Sequence, residues 1–156
     1  MNISEEELSQ LTEKNKDLIF DTVGYFPKCT VGKFSYPEAE ICLKYGKQNP
    51  NNVHNGFGIA HLVKGDHIND VIYKDVNSFD DLAKVLKRML SKHSKIFMEN
   101  EGNFIIVTTK RARVVLNYIE KEQIYSVVTC HSVSNTYDDK RHGNMVAKIK
   151  KDLNTQ

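Results

Sequence analysis

A helical layer on an antiparallel sheet is the fold the sequence predicts: α+β, with N-terminal helices packed on a four- or five-stranded meander. Three stretches carry that expectation. "SFDDLAKVLKRMLSKHS" puts Phe79, Leu82, Leu86, Met89 and Leu90 on one helical face, behind a Ser78 N-cap and an acidic first turn. Residues 95–133 hold three or four runs rich in Ile, Val, Phe, Thr and Tyr, broken only at Glu101-Gly102-Asn103, Lys110-Arg111 and Glu120-Lys121-Glu122. Breaks that short leave no room for a crossover helix, so successive strands pair antiparallel. The opening "SEEELSQLTEKNKDLIF" has the capping-box spacing of Ser4 and Glu7, and its Leu8, Leu11, Leu18 and Ile19 keep to one side of a helix.

The remaining elements follow in order. Gly24 and Pro27 end the first helix and lead into irregular chain through "KCTVGKFSYP". "AEICLKYG", partly alternating and stopped by Gly46, reads as a strand, and "KQNPNNVHNG" as loop. Phe57 to about Val63 reads as a short helix or turn, closed by Gly65 and Asp66. After the meander, "GNMVAKIKKDL" is expected as a short basic helix. The organisation expected is one domain over residues 1–156: an N-terminal helix in 1–24, a core in 38–133 and a basic tail in 134–156.

An apolar share of 40% with no tryptophan is a globular composition, and a net charge of +2 gives the whole chain no polyanion- or membrane-binding signature. Any basic site is therefore local. Cations gather at Lys84, Lys87, Arg88, Lys92 and Lys95, at Lys110, Arg111 and Arg113, and at Lys140, Arg141, Lys148, Lys150 and Lys151. Cys29, Cys42 and Cys130 are odd in number and widely spaced, neither a disulfide framework nor a zinc pattern, which points to a reducing compartment. The acidic "MNISEEELSQL" is no signal peptide and no apolar run approaches a membrane span, so a cytoplasmic protein that does not contact membrane is expected.

The densest set of titratable groups lies in "NGFGIAHLVKGDH". A helix there leaves His61 and Lys64 three residues apart on its polar side, with His54 before and His67 just after. Histidine titrates near 6.5, which suits it to moving protons at neutral pH. The stretch lacks the HExxH spacing and a cysteine pair, and its "GFG" lacks the GK[ST] ending of a phosphate loop, so neither metal nor cofactor is expected. In "YSVVTCHSV" a period of two puts Tyr125, Val127, Thr129 and His131 on one face and Ser126, Val128, Cys130 and Ser132 on the other. "TTKRARVV" sets Lys110, Arg111 and Arg113 at a strand connection, where a guanidinium is well placed to grip phosphate.

"GFGIAHL" with a later histidine, then an amphipathic helix, then a meander ending in "VVTC", resembles the barnase, colicin and RelE-like ribonuclease superfamily of phage- and toxin-associated nucleases. The resemblance covers roughly Cys42 to Val133 and leaves out the N-terminal helix and the tail. It implies helices preceding a four- or five-stranded antiparallel sheet, and RNA cleavage without a metal. It carries over onto His61 in "GIAHL" and Thr129 in the final strand; "TCHSV" departs where relatives often have an aromatic. Lys64, His67, Arg111, Arg113 and His131 join on chemistry alone.

The implied reaction is attack of a ribose 2'-hydroxyl on its own phosphate, with one group taking that proton and another protonating the leaving 5'-oxygen. His61 is base or acid, His67 or His131 its complement, Arg111 or Arg113 with Lys64 stabilises the phosphorane, and Thr129 orients. The expected partners are RNA, transfer RNA among the candidates, and a cognate immunity or antitoxin protein. The alternative is a non-catalytic phage or mobile-element protein that binds and inhibits a host protein, through a surface acidic at the N-terminus and basic along "LAKVLKRMLSK". A purely RNA-binding domain ranks below both, since the sheet lacks an aromatic stacking motif.

Overall fold

In a computed structural model, which describes residues 1–153, the chain is α+β but dominated by sheet. At the N-terminus only Glu5–Leu8 (α1) is helical, where the sequence predicts helix through residue 20 and beyond. Ser4 Oγ accepts from the Glu7 amide at 3.2 Å, but the Glu7 carboxylate reaches across the fold and accepts from the Phe79 amide at 2.8 Å. Further on, the Asn15 amide donates to Thr12 Oγ1 and the Asn15 side chain to the Gln10 carbonyl. Local bonds of this kind compete with the helix ladder.

Ile19–Phe26 (β1) is instead an edge strand, and Cys29–Val31 (β2) and Phe34–Tyr36 (β3) form a hairpin about Gly32-Lys33 where irregular chain is predicted. Ala39–Lys44 (β4) is the expected strand. The loop after it is pinned by the two-residue ribbon of Lys47–Gln48 (β5) and Gly56–Phe57 (β6). Gly58–Lys64 (α2), a 3-10 turn at Val71–Tyr73 and Phe79–Met89 (α3, capped by Ser78) follow. The meander is Lys95–Asn100 (β7), Asn103–Val107 (β8), Ala112–Ile119 (β9) and Ile124–Ser132 (β10), broken where the sequence predicts. The tail, read as a basic helix, holds a 3-10 turn at Asp139–His142 and the strand Met145–Lys148 (β11); the end of that expected segment, 154–156, lies outside the described residues. "NMVAKIK" alternates, and its Ile149 is driven into the core at 1% exposure.

The main sheet has seven strands in the order β1-β4-β10-β9-β8-β7-β11, and β4 runs parallel to β10 through Tyr125↔Ile41 and Ser126↔Cys42. This overturns the expected architecture: the sheet is mixed and seven-stranded, not a four- or five-stranded antiparallel meander, and no helical layer precedes it. The parallel seam closes only because α2, α3 and the meander together form one long connection between β4 and β10. One face of the sheet, with Ile41, Leu43, Phe104, Val114, Leu116 and Tyr125, packs with Ile59 and Leu62 of α2 and Leu82 and Leu86 of α3 into one core. Each fully buried side chain of this kind contributes about 1.5–3 kcal/mol. The opposite face buries Phe97 and Ile105, with the His142 ring 5.9 Å from Phe97.

Two details position the site. Gly46 (φ 78°) and Gly58 (φ 68°) approach each other's backbone so closely that a Cβ on Gly46 falls 1.9 Å from the Phe57 carbonyl and one on Gly58 falls 2.5 Å from that of Lys44. This contact clamps the start of α2 to the end of β4. In β10 a bulge puts Val127 opposite Leu116 and Thr129 opposite Val115, so the strict alternation fails. Tyr125 and Val127 share the core face with Cys130, while Thr129 and His131 turn to the other face. Cys29, Cys42 and Cys130 are free and buried. Among the described residues no helix is long and apolar enough to cross a membrane.

Candidate functional site

Beyond Ser126, β10 runs past the end of its pairing with β4, and side chains from the segment after α2 satisfy its open edge. The buried Tyr73 hydroxyl donates to the Cys130 carbonyl, and Asp70 Oδ2 accepts from the Ser132 amide at 2.8 Å and its hydroxyl at 2.9 Å. This anchoring brings residues 66 and 67 against the end of β10. The His67 ring stacks on His131 with centroids 4.1 Å apart and planes 20° apart.

Around this pair lie three more titratable side chains. Asp66 Oδ2 is 2.7 Å from His54 Nδ1 and 3.6 Å from His67 Nε2. Burial alone would raise the Asp66 carboxyl, but the His54 hydrogen bond and the adjacent His67 hold it below the usual carboxylate range. His61 is 5% exposed, with Nδ1 2.6 Å from Gln48 Oε1, so in its neutral form it donates there and keeps its lone pair on Nε2. Burial pushes the His61 pKa down, partly offset by Asp66 and reinforced by His67 and His54. His131 follows the same logic. Its Nδ1 donates to the Ser132 carbonyl at 2.9 Å, and burial lowers its pKa against the pull of that bond, with His67 and Arg113 adding to the depression.

Arg113 is the cross-strand partner of His131. Its guanidinium lies 4.0 Å from Glu99, whose carboxylate is 3.3 Å from His142 Nδ1, and His142 Nε2 in turn contacts the Tyr137 hydroxyl. The network holds Arg113 while its Nε is buried without a hydrogen-bond partner, as is Thr129 Oγ1 on the same face. Both are buried polar atoms without a partner, on the face of the sheet that carries His131.

Of the residues singled out from sequence, His61, His67, His131, Arg113 and Thr129 thus fall in one neighbourhood, with His61 beneath its surface. Two do not join it. Lys64 faces the other way, lining a cleft with Leu11, Lys16 and Gly46, because the buried side of α2 carries His61 rather than leaving it beside Lys64. Arg111 is exposed at the β8–β9 turn with φ 60°. Sequence reasoning missed Gln48, Asp66, Asp70 and Glu99, which orient the imidazoles and the guanidinium. Asp66, adjacent to His67, and Asp70, three residues after it, lay in the same stretch; Gln48 and Glu99 come from strand positions distant in sequence. Among the described residues no three or more His, Cys, Asp or Glu side chains converge to hold a metal ion. Comparison with family models, curated proteins and solved structures finds no match for the chain.

Proposed function

We propose that the chain is a ribonuclease that cleaves by attack of the ribose 2'-hydroxyl, with His131 and His67 as its acid-base pair. The stacking of those two rings beside an arginine whose side chain is 27% exposed carries the reading. His131 is the base: its Nδ1–H is committed to the Ser132 carbonyl, its Nε2 lone pair is free, and its lowered pKa keeps it neutral at neutral pH. His67, beside the Asp66 carboxylate, returns a proton to the leaving 5'-oxygen. Arg113, whose side chain is 27% exposed, meets the charge that develops on phosphorus oxygens through its terminal guanidinium nitrogens, whereas its Nε and the Thr129 hydroxyl are buried and do not reach the phosphate. His61 supports the site from below through Gln48 and does not reach the substrate. No step in this scheme needs a metal, and the partner it requires is RNA.

The test is incubation of purified protein with total RNA and transfer RNA in EDTA, beside His131→Ala, His67→Ala and Arg113→Ala. The scheme expects cleavage to 2',3'-cyclic phosphate ends, reduced about 10²–10⁴-fold by either histidine variant. A folded protein that leaves both RNAs intact overturns it and moves the weight to inhibition of a protein partner, which a cognate immunity or antitoxin protein or a host target would then reveal.

A further inference from the structure

On another part of the molecule, the β2–β3 hairpin, the β7–β8 turn and the end of β9 border an open cleft of about 440 Å³ lined by Phe34, Tyr36, Tyr118, Glu101 and Glu120. Phe34 is 49% exposed, an apolar ring with no core to explain it, whereas Tyr36 is buried. Tyr36 and Tyr118 meet edge to face at 5.7 Å and are backed by Phe104 and Tyr125, so the aromatic wall is fixed before any ligand arrives. Burial holds the Tyr36 hydroxyl above its usual pKa, so it brings no charge. Glu101 and Glu120 are both exposed, come from different turns, and form no ion pair among the described residues.

Two unpaired carboxylates over a preformed aromatic wall select a cation with an apolar body. Ring faces attract ammonium groups and methylenes, and the carboxylates supply the counter-charge. Two carboxylates on separate turns suit two ammonium groups joined by a methylene chain better than one. We propose that this cleft binds an aliphatic polyamine, with its methylenes against Phe34, Tyr36 and Tyr118 and its ammonium groups at Glu101 and Glu120. The proposal is independent of the histidine patch and of any RNA cleavage.

The experiment is a two-dimensional amide NMR titration of the whole chain with spermidine, and in parallel with acetyl-lysine amide (one ammonium) and octane-1,8-diol (none). Spermidine is expected to saturate shifts at residues 34–36, 101–103 and 118–120. The E101Q/E120Q variant is expected to weaken it about tenfold, and Phe34→Ala about three- to tenfold, both with otherwise unchanged spectra. Because a nonspecific polycation would feel the lost carboxylates but not the lost ring, full-strength binding to Phe34→Ala overturns the site. Acetyl-lysine amide binding as tightly as spermidine overturns the polyamine in favour of a single ammonium such as a lysine side chain. Binding of the diol with equal strength, shifts centred elsewhere, or no saturation by about 10 mM spermidine also overturns it.

Discussion

Replacing Gln48 with alanine removes the acceptor 2.6 Å from Nδ1 of His61, a ring that is only 5% exposed. A buried donor left without a partner costs about 1–3 kcal/mol. The other bonds of the Gln48 amide, to the Asn49 and Asn52 carbonyls at 3.1 Å each, lie in an exposed loop where water replaces them and add little. The expected loss is therefore about 1–3 kcal/mol, carried almost wholly by one hydrogen bond. Urea unfolding at pH 7.5, followed by circular dichroism, reads it as a lower midpoint at unchanged slope. The same substitution in a His61→Phe background isolates the pair, because with no imidazole to satisfy it is expected to cost under about 0.5 kcal/mol. A loss under about 0.5 kcal/mol in the native background, or an equal loss in both backgrounds, refutes the assignment of Gln48 as the group that holds the His61 ring.

Other consequences are as direct. His61 and His131 both have pKa values lowered in the folded chain from an ordinary 6.5, so the unfolded chain binds more protons below that pH. Stability from these two groups is complete above pH 6.5 and falls as the pH drops below it; urea midpoints at pH 5.0 to 8.0 show this, and a flat profile contradicts it. The Lys44 side chain is 2% exposed and bonds both Glu122 oxygens, at 3.0 and 2.9 Å. Glu122→Ala strands that ammonium and is expected to cost about 2–4 kcal/mol, below the about 3–5 of a fully enclosed pair because Glu122 is 39% exposed. Lys44→Met with Glu122→Gln is expected to stay within about 1 kcal/mol of the native chain by the same assay. Gly46→Ala forces a side chain into a left-handed backbone against the Phe57 carbonyl and is expected to lose about 2–5 kcal/mol, measured as a fall in thermal midpoint.

Local pattern settled the elements that stabilise themselves. The amphipathic face and Ser78 cap of α3, the short helix at "GIAHLVK", and the three breaks of the meander all lie where periodicity and turn chemistry put them. The candidate site was legible only in its residue types, since histidines and arginines stand out in a sequence but their neighbours do not. What only tertiary structure decided was the fate of segments whose local preference is weak or mixed. "DLIFDTVGYF" became strand because β4 offers it a ladder, and "NMVAKIK" did so because β7 does. The β10 bulge turned Thr129 and His131 to the face that carries Arg113, and the anchoring of Asp70 and Tyr73 on the open edge of β10 laid His67 on His131. Those outcomes depend on backbone partners far away in the chain, and a periodicity read along one segment holds no information about which strand lies beside it.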